Sequence, residues 1–231
     1  MDITVYQLGK IEYRQASEIQ RKLSADIAVG EHPPALLLLE HPHVYTLGRQ
    51  SDPKDLLWDT GALAQQGIQV EESDRGGEIT YHGPGQLVGY PILPLGKTGT
   101  LEYLRKLEEA LIQALAFFGI SGERIPGQTG VWIAGNDSPN PPAKIASIGV
   151  RVDTNRITRH GFALNVAPDM RFWDGIIACG LENQRQASIA ELIPYPPEMN
   201  SVKEKVLKAF SNEFNCKLSF GKSPPQHQPI V

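Results

Sequence analysis

The sequence predicts an α+β fold. Two observations carry that expectation. Strand-like runs and helices are segregated along the chain and do not alternate one for one, which argues against a doubly wound sheet. Length and composition describe one ordinary globular domain, residues 1–231: 41% of residues are apolar and 21% charged.

Taken in order, Ile3 to Leu8 reads as an opening strand. Ile11 to Ala28 reads as a helix, because Tyr13, Ala16, Ile19, Leu23 and Ile27 recur at threes and fours, and Pro33-Pro34 ends it. Ala35 to Leu39 is a continuous apolar run, the pattern of a strand buried on both faces. Leu56 to Gln66 suggests a short helix and Ile68 to Val70 a strand. Thr100 to Phe118 is the clearest helix. Thr100 serves as its expected N-cap, Leu104, Leu107, Leu111, Leu115 and Phe118 form its buried stripe, and Gly119 ends it. Val131 to Ala134 suggests a strand, and Gly135 to Pro142 a polar, proline-rich loop. Ala143 to Val166 divides into three strand-like pieces with a turn at Asp153-Thr154-Asn155. Ser188 to Leu192 starts a helical turn, Glu198 to Phe214 is a terminal helix, and Cys216 to Phe220 a last strand. Residues 222–231 read as a frayed tail.

The formal charge of −4, from 22 basic and 26 acidic residues, argues against a nucleic-acid partner. No run approaches the roughly 18 to 20 apolar residues that span a bilayer, and no signal peptide is visible. Two cysteines, Cys179 and Cys216, do not make a disulfide framework. A cytoplasmic protein without membrane attachment is expected. His41 and His43 would share one face of a strand, which suits a metal. No third ligand at zinc-like spacing accompanies them, so no metal is expected.

The stretch Arg75 to Leu93, RGGEITYHGPGQLVGYPIL, organises the rest. It holds five glycines, where backbone can take φ > 0 or let a ligand come close. Glu78 to Tyr81 reads as a strand, Gly83-Pro84-Gly85 as a tight turn, and Gln86 to Leu93 as a returning strand. The expected unit is hairpin-like, with His82 in its turn and Arg75, Gly76 and Gly77 in its entrance loop.

RGGEITYHGPGQLVGYPI resembles the signature of the bacterial lipoyl(octanoyl) transferases. EHPHVYTLGR (Glu40–Arg49), KIASIG (Lys144–Gly149) with HGFALNV (His160–Val166), and the cysteine–glycine motif at Cys179-Gly180 are similar to further segments of that family. The likeness spans roughly residues 35 to 195. It implies the fold of the biotin and lipoate protein ligases, a mixed sheet flanked by helices. It also implies transfer of an octanoyl or lipoyl group from acyl carrier protein to a lysine on lipoyl domains, the first step of endogenous protein lipoylation. The implied acceptors are apo lipoyl domains of 2-oxoacid dehydrogenase complexes and the glycine cleavage H protein. No cofactor is implied: exchanging a thioester for an amide runs downhill without ATP.

By the same resemblance Cys179 is the nucleophile and Lys144 activates it. Lysine does so either as an ammonium that favours the thiolate or as a neutral base; the sequence leaves both open. Cys179 takes the acyl group and an acceptor lysine then removes it, which is covalent catalysis in two halves. The resemblance places Arg75, Gly76, Gly77, Glu78, Ile79, Thr80, Tyr81 and His82 around the substrate, with Ser147, Ile148, Gly149, Gly161, Phe162 and Ala163. His82 either orients a reacting group or is structural. Backbone N–H groups at Gly76-Gly77, Gly149 or beside Cys179 are candidate oxyanion donors. Acidic partners suggest a basic rim drawn from Arg49, Arg75, Arg151, Arg159 and Arg185. Cys216 is expected in the core. Two features depart from the family: Ala178 stands where a proline is usual, and the loop before Lys144 is long. Two other readings are an ATP-dependent lipoate protein ligase, which would not need Cys179, and a non-catalytic binder of acylated domains.

Overall fold

The computed structural model describes residues 1–135, 141–178 and 184–225. The chain opens with strand β1 (Asp2–Lys10), helix α1 (Tyr13–Ala28), β2 (Ala35–Glu40) and β3 (Val44–Leu47). A 3₁₀ turn at Pro53–Asp55 precedes helix α2 (Thr60–Gln65), β4 (Gln69–Glu72), β5 (Thr80–His82) and β6 (Gln86–Ile92). Helix α3 (Thr100–Ala116), β7 (Gly122–Ile125), β8 (Gln128–Ile133), β9 (Ala143–Val152) and β10 (Thr158–Asn165) follow. After a 3₁₀ turn at Met170–Gly175 come β11 (Arg185–Gln186), α4 (Ile189–Leu192), α5 (Met199–Glu213) and β12 (Lys217–Phe220).

The large sheet runs β12-β1-β2-β6-β10-β9-β8-β7, with β11 beside β9. Its mixed character is plain in β2, which is parallel to β1 and antiparallel to β6. The apolar run of β2 has a direct physical cause. Leu36 and Leu38 pack on one face with Leu107 and Leu111 of α3 and Phe210 of α5, while Leu37 and Leu39 pack on the other with Ala16 and Leu23 of α1. The strand is therefore apolar at every position from Ala35 to Leu39. A second, small sheet has the order β4-β3-β5 and its own core of Tyr45, Ile79, Tyr81, Phe172 and Trp173. Among the described residues no helix is long and apolar enough to cross a membrane.

Several expectations need correction. The unit around Gly83–Gly85 is not a hairpin. β5 pairs with β3 in the small sheet, whereas β6 pairs with β2 and β10 in the large one. The turn is a crossing between sheets, and His82 closes β5 ahead of it. Ala143 to Val166 makes two strands, because β9 runs unbroken to Val152 along β10. The short helix expected from Leu56 begins only at Thr60, and its N-cap Asp59 accepts from Ala62 N–H. Gly99, not Thr100, caps α3, and the fully buried residue near its start is Tyr103 rather than Leu104. β7 was not expected; its residues are half-buried or exposed, so no apolar pattern marks it.

Candidate active site

The segment Arg75–Glu78 stitches the two sheets together. Gly48 N–H, Arg49 N–H and Gln50 N–H donate to the carbonyls of Glu78, Arg75 and Gly77 on one side. On the other, Gly76 N–H donates to Val150 O of β9 at 2.9 Å. Gly149 permits this approach: a Cβ there would stand 3.0 Å from Gly76 O. Gly77 has φ +83°, a conformation that disfavours any side chain. Arg75 is buried beneath the loop, and its Nη2 donates to Thr46 O at 2.7 Å and Thr46 Oγ1 at 2.9 Å.

A cavity of about 410 Å³ opens where the sheets meet, within the range of small-ligand sites. Arg75–Thr80 and His82 form one wall. Lys144, Ser147, Ile148 and Gly149 of β9 and His160–Ala163 of β10 form the opposite wall. Tyr13 of α1, Tyr90 of β6, Gln50, Gly127 of the β7–β8 turn, Gln128 and Thr129 at the start of β8, and Gln184 complete it.

Lys144 is 4% exposed, and its Nζ lies 4.6 Å from the centroid of the Trp132 ring, a cation–π contact. β11 runs parallel to β9 there, pairing Gln186 with Lys144, and Ala187 N–H donates to Lys144 O.

Polar clusters brace the far wall. Asp74 accepts from His160 Nε2 at 2.6 Å and from Arg159 at 2.5 Å, with Arg151 Nε at 3.2 Å. The hydrogen bond from His160 and the nearby guanidinium hold the Asp74 carboxyl well below the usual carboxylate range. Burial lowers the pKa of His160, and Asp74 offsets this in part. His41 is completely buried; its Nδ1 meets Ile11 O and its Nε2 meets Tyr90 OH, both at 2.8 Å. Burial pushes it down to about 4. His43 Nδ1 meets Tyr81 OH. The two histidines thus serve different cores, although they lie two residues apart.

All but two of the residues expected at the site line this cavity. Tyr81 alternates away from its neighbours on β5 and packs in the small core, its hydroxyl on His43. Cys179 lies outside the described residues, as do Gly180 and most of the Gly135–Pro142 loop. The basic rim is not built as expected. Arg75 and Arg159 are buried and Arg151 faces Asp74; only Arg49 and Arg185 stand exposed. The Gly76 N–H is committed to Val150 and is no free oxyanion donor. Cys216 is buried in the main core. Sequence reasoning missed Tyr13, Tyr90, His160 and Gln184. Tyr90 and His160 lie inside motifs already singled out; Tyr13 looked like ordinary helix stripe, and nothing marked Gln184.

The family model described as the lipoyl protein ligase A/B catalytic domain matches residues 12–211. An octanoyltransferase of Chloroflexus aggregans is 42% identical over 217 residues, covering 93% of this chain and 96% of the relative. An octanoyltransferase of Acidobacterium capsulatum is 42% identical over 235 residues, covering 97% and 95%. Among solved structures, a bipartite lipoate protein ligase with its E2 lipoyl domain from Thermoplasma acidophilum superposes with TM-score 0.73 at 17% identity, covering 96% of this chain and 87% of that one. Lipoate-protein ligase A bound with ATP superposes with TM-score 0.69 at 16% identity, covering 96% and 89%. These two likenesses establish the fold.

Proposed function

The chain belongs to the lipoyl protein ligase A/B catalytic-domain family and is an acyltransferase that moves octanoyl or lipoyl groups; from that premise we propose its donor, acceptor and chemistry. The donor is octanoyl-acyl carrier protein. The acceptor is the ε-amino group of a lysine on an apo lipoyl domain of a 2-oxoacid dehydrogenase complex or on the glycine cleavage H protein. Cys179 carries the acyl group between them as a thioester. Residues 1–231 act as one catalytic domain.

The observation that carries this reading is the position of Lys144. It is buried in the wall of a cavity sized for a small acyl group, where Gln186 pairs with it, and Cys179 shortly precedes that pairing in the sequence. A lysine ammonium beside a thiol favours the thiolate, the form that attacks a thioester. Attack forms the S–C bond and expels the carrier's thiolate. The acceptor amine then attacks the acyl-cysteine, forms the amide and returns the thiol. Six buried methylenes of the tail contribute roughly 5 kcal/mol, enough to favour octanoyl over much shorter chains. Phe162, Ile148, Ile79 and Ala163 supply apolar surface for it.

The test is intact-protein mass after mixing with octanoyl-acyl carrier protein without ATP. The expected result is an octanoyl adduct on the native chain, none on Cys179→Ala, and discharge by an apo lipoyl domain. Transfer only with ATP and free octanoate would instead establish the ligase reading.

A further inference from the structure

Two backbone carbonyls dictate how the hydrogens point in a buried chain of side chains at the cavity. The Asn165 amide approaches Ala187 O at 3.0 Å. A carbonyl only accepts, so the atom facing it is the NH2, and Asn165 Oδ1 faces the other way. That oxygen lies 2.9 Å from the Gln86 amide, which must offer its NH2 there. The same NH2 approaches Tyr81 O at 3.2 Å, an independent demand for a donor. Gln86 is left with Oε1, 2.7 Å from Nδ1 of His82. Nδ1 therefore carries the hydrogen. A neutral imidazole has only one, so Nε2 carries a lone pair.

The relay is shielded. His82 is 6% exposed, Gln86 1% and Asn165 2%. His82 lines the cavity, and among the described residues none hydrogen-bonds its Nε2. The surroundings oppose a positive ring. His41 meets it edge-on at 5.6 Å and Tyr13 stacks on it at 6.3 Å, with Arg75 and His160 close by. Burial, then His41, hold its pKa well below the ordinary value.

We infer that His82, locked as the Nδ1–H form by the Asn165–Gln86 relay, accepts the proton of the attacking amine in the second half of the reaction. This rests on the acyl-cysteine reading above. The neutral amine attacks the acyl carbon. The C–N bond forms, an N–H bond breaks toward Nε2, and the C–S bond breaks with its electron pair on sulfur. The imidazolium then returns the proton to the departing thiolate, the stronger base. Atoms and charge balance with no co-reactant. The labour is divided: Lys144 serves thiolate formation and His82 serves the amine.

His82→Asn is the discriminating variant. Asparagine can keep an NH2 for Gln86 Oε1 where Nδ1–H stood, and it removes the far nitrogen. With octanoyl-acyl carrier protein, acyl-enzyme formation by intact mass stays within about threefold, while rapid-quench discharge by an apo lipoyl domain slows about 100-fold or more. Equal slowing of both halves, or of neither, overturns the inference and leaves the acyl-cysteine reading intact. Absence of any adduct on the native enzyme overturns both. A second readout does not depend on the variant's folding. In native enzyme labelled with ¹⁵N-histidine, His82 shows hydrogen on Nδ1 and a bare Nε2 from about pH 6 to pH 8. Hydrogen on Nε2 overturns the inference outright. Gln86→Leu releases the ring toward the Nε2–H form and slows discharge.

Discussion

Gly89 and Phe162 are direct partners across the β6–β10 pair, and the Phe162 ring fills the space that a side chain on residue 89 would need. A Cβ on Gly89 would stand 2.1 Å from Phe162 Cζ. Phe162 also lines the cavity, so the glycine sets how far the ring can sink and how much room remains above it. Gly89→Ala pushes the ring into the cavity. The expected cost is about 1 to 3 kcal/mol of stability, as for other overpacked cores. Octanoyl transfer should fall more than butanoyl transfer. Urea midpoints and rates with donors of both lengths check this; an unchanged chain-length preference would show that the tail does not lie against this ring.

Lys144→Met keeps the buried aliphatic arm over Trp132 and removes the charge. Acyl-enzyme formation should fall about 100-fold or more, and its pH midpoint should rise toward that of an ordinary thiol, about 8.5. Single-turnover acylation followed across pH measures both. A drop with no change in midpoint would mean that Lys144 acts as a proton acceptor instead.

Buried His41 ties stability to pH. Its folded value of about 4 lies below the unfolded value, about 6.5, so the unfolded chain takes up a proton first on acidification. Stability is complete above about pH 6.5 and declines as pH falls toward 4, with a full swing on the order of 3 kcal/mol. Asp74, whose folded pKa is also depressed, adds loss of the same sign below about pH 4. Urea midpoints across this range should fall steadily for the native chain. Asp74→Asn should remove the most acidic loss and, by taking away the partner that offsets the burial of His160, steepen the decline above it.

Glu108 ties α3 to the cavity from behind. It is fully buried, accepts from Arg105 at 2.6 Å and Arg124 at 3.1 Å, and receives Gly130 N–H at 3.1 Å. Gly130 directly follows the Gly127–Thr129 lining. Glu108→Ala orphans a buried N–H and should cost roughly 2 to 4 kcal/mol, whereas Glu108→Gln keeps that acceptor and should cost less. Thermal unfolding of both variants decides. Equal losses would mean that the ion pairs, not Gly130, carry the effect.

What the sequence revealed follows from the range of each signal. Helix periodicity and the doubly buried run at Ala35–Leu39 are local, and the structure holds them within a few residues. The glycine motif located the cavity wall because tight turns and close approaches leave a local mark. The hairpin expectation failed because Gly83-Pro84-Gly85 records only that the chain turns, not which sheet receives each strand. The His82 relay joins Gln86 to Asn165 across 79 positions, and no single-sequence pattern registers such a pairing. The basic rim failed for a related reason. Charge is countable along a chain, but Arg75 and Arg159 are committed to Thr46 and Asp74, partners distant in sequence.

The pairing of β1 with β12 bears on how the protein is made. Asp2 is matched with Lys217, so that edge of β1 gains its partner only after β12 has left the ribosome. Through most of translation β1 can be covered on one side only, by β2. A nascent chain stalled before residue 217 therefore displays a bare strand edge, the surface on which chaperones act and misassembly begins.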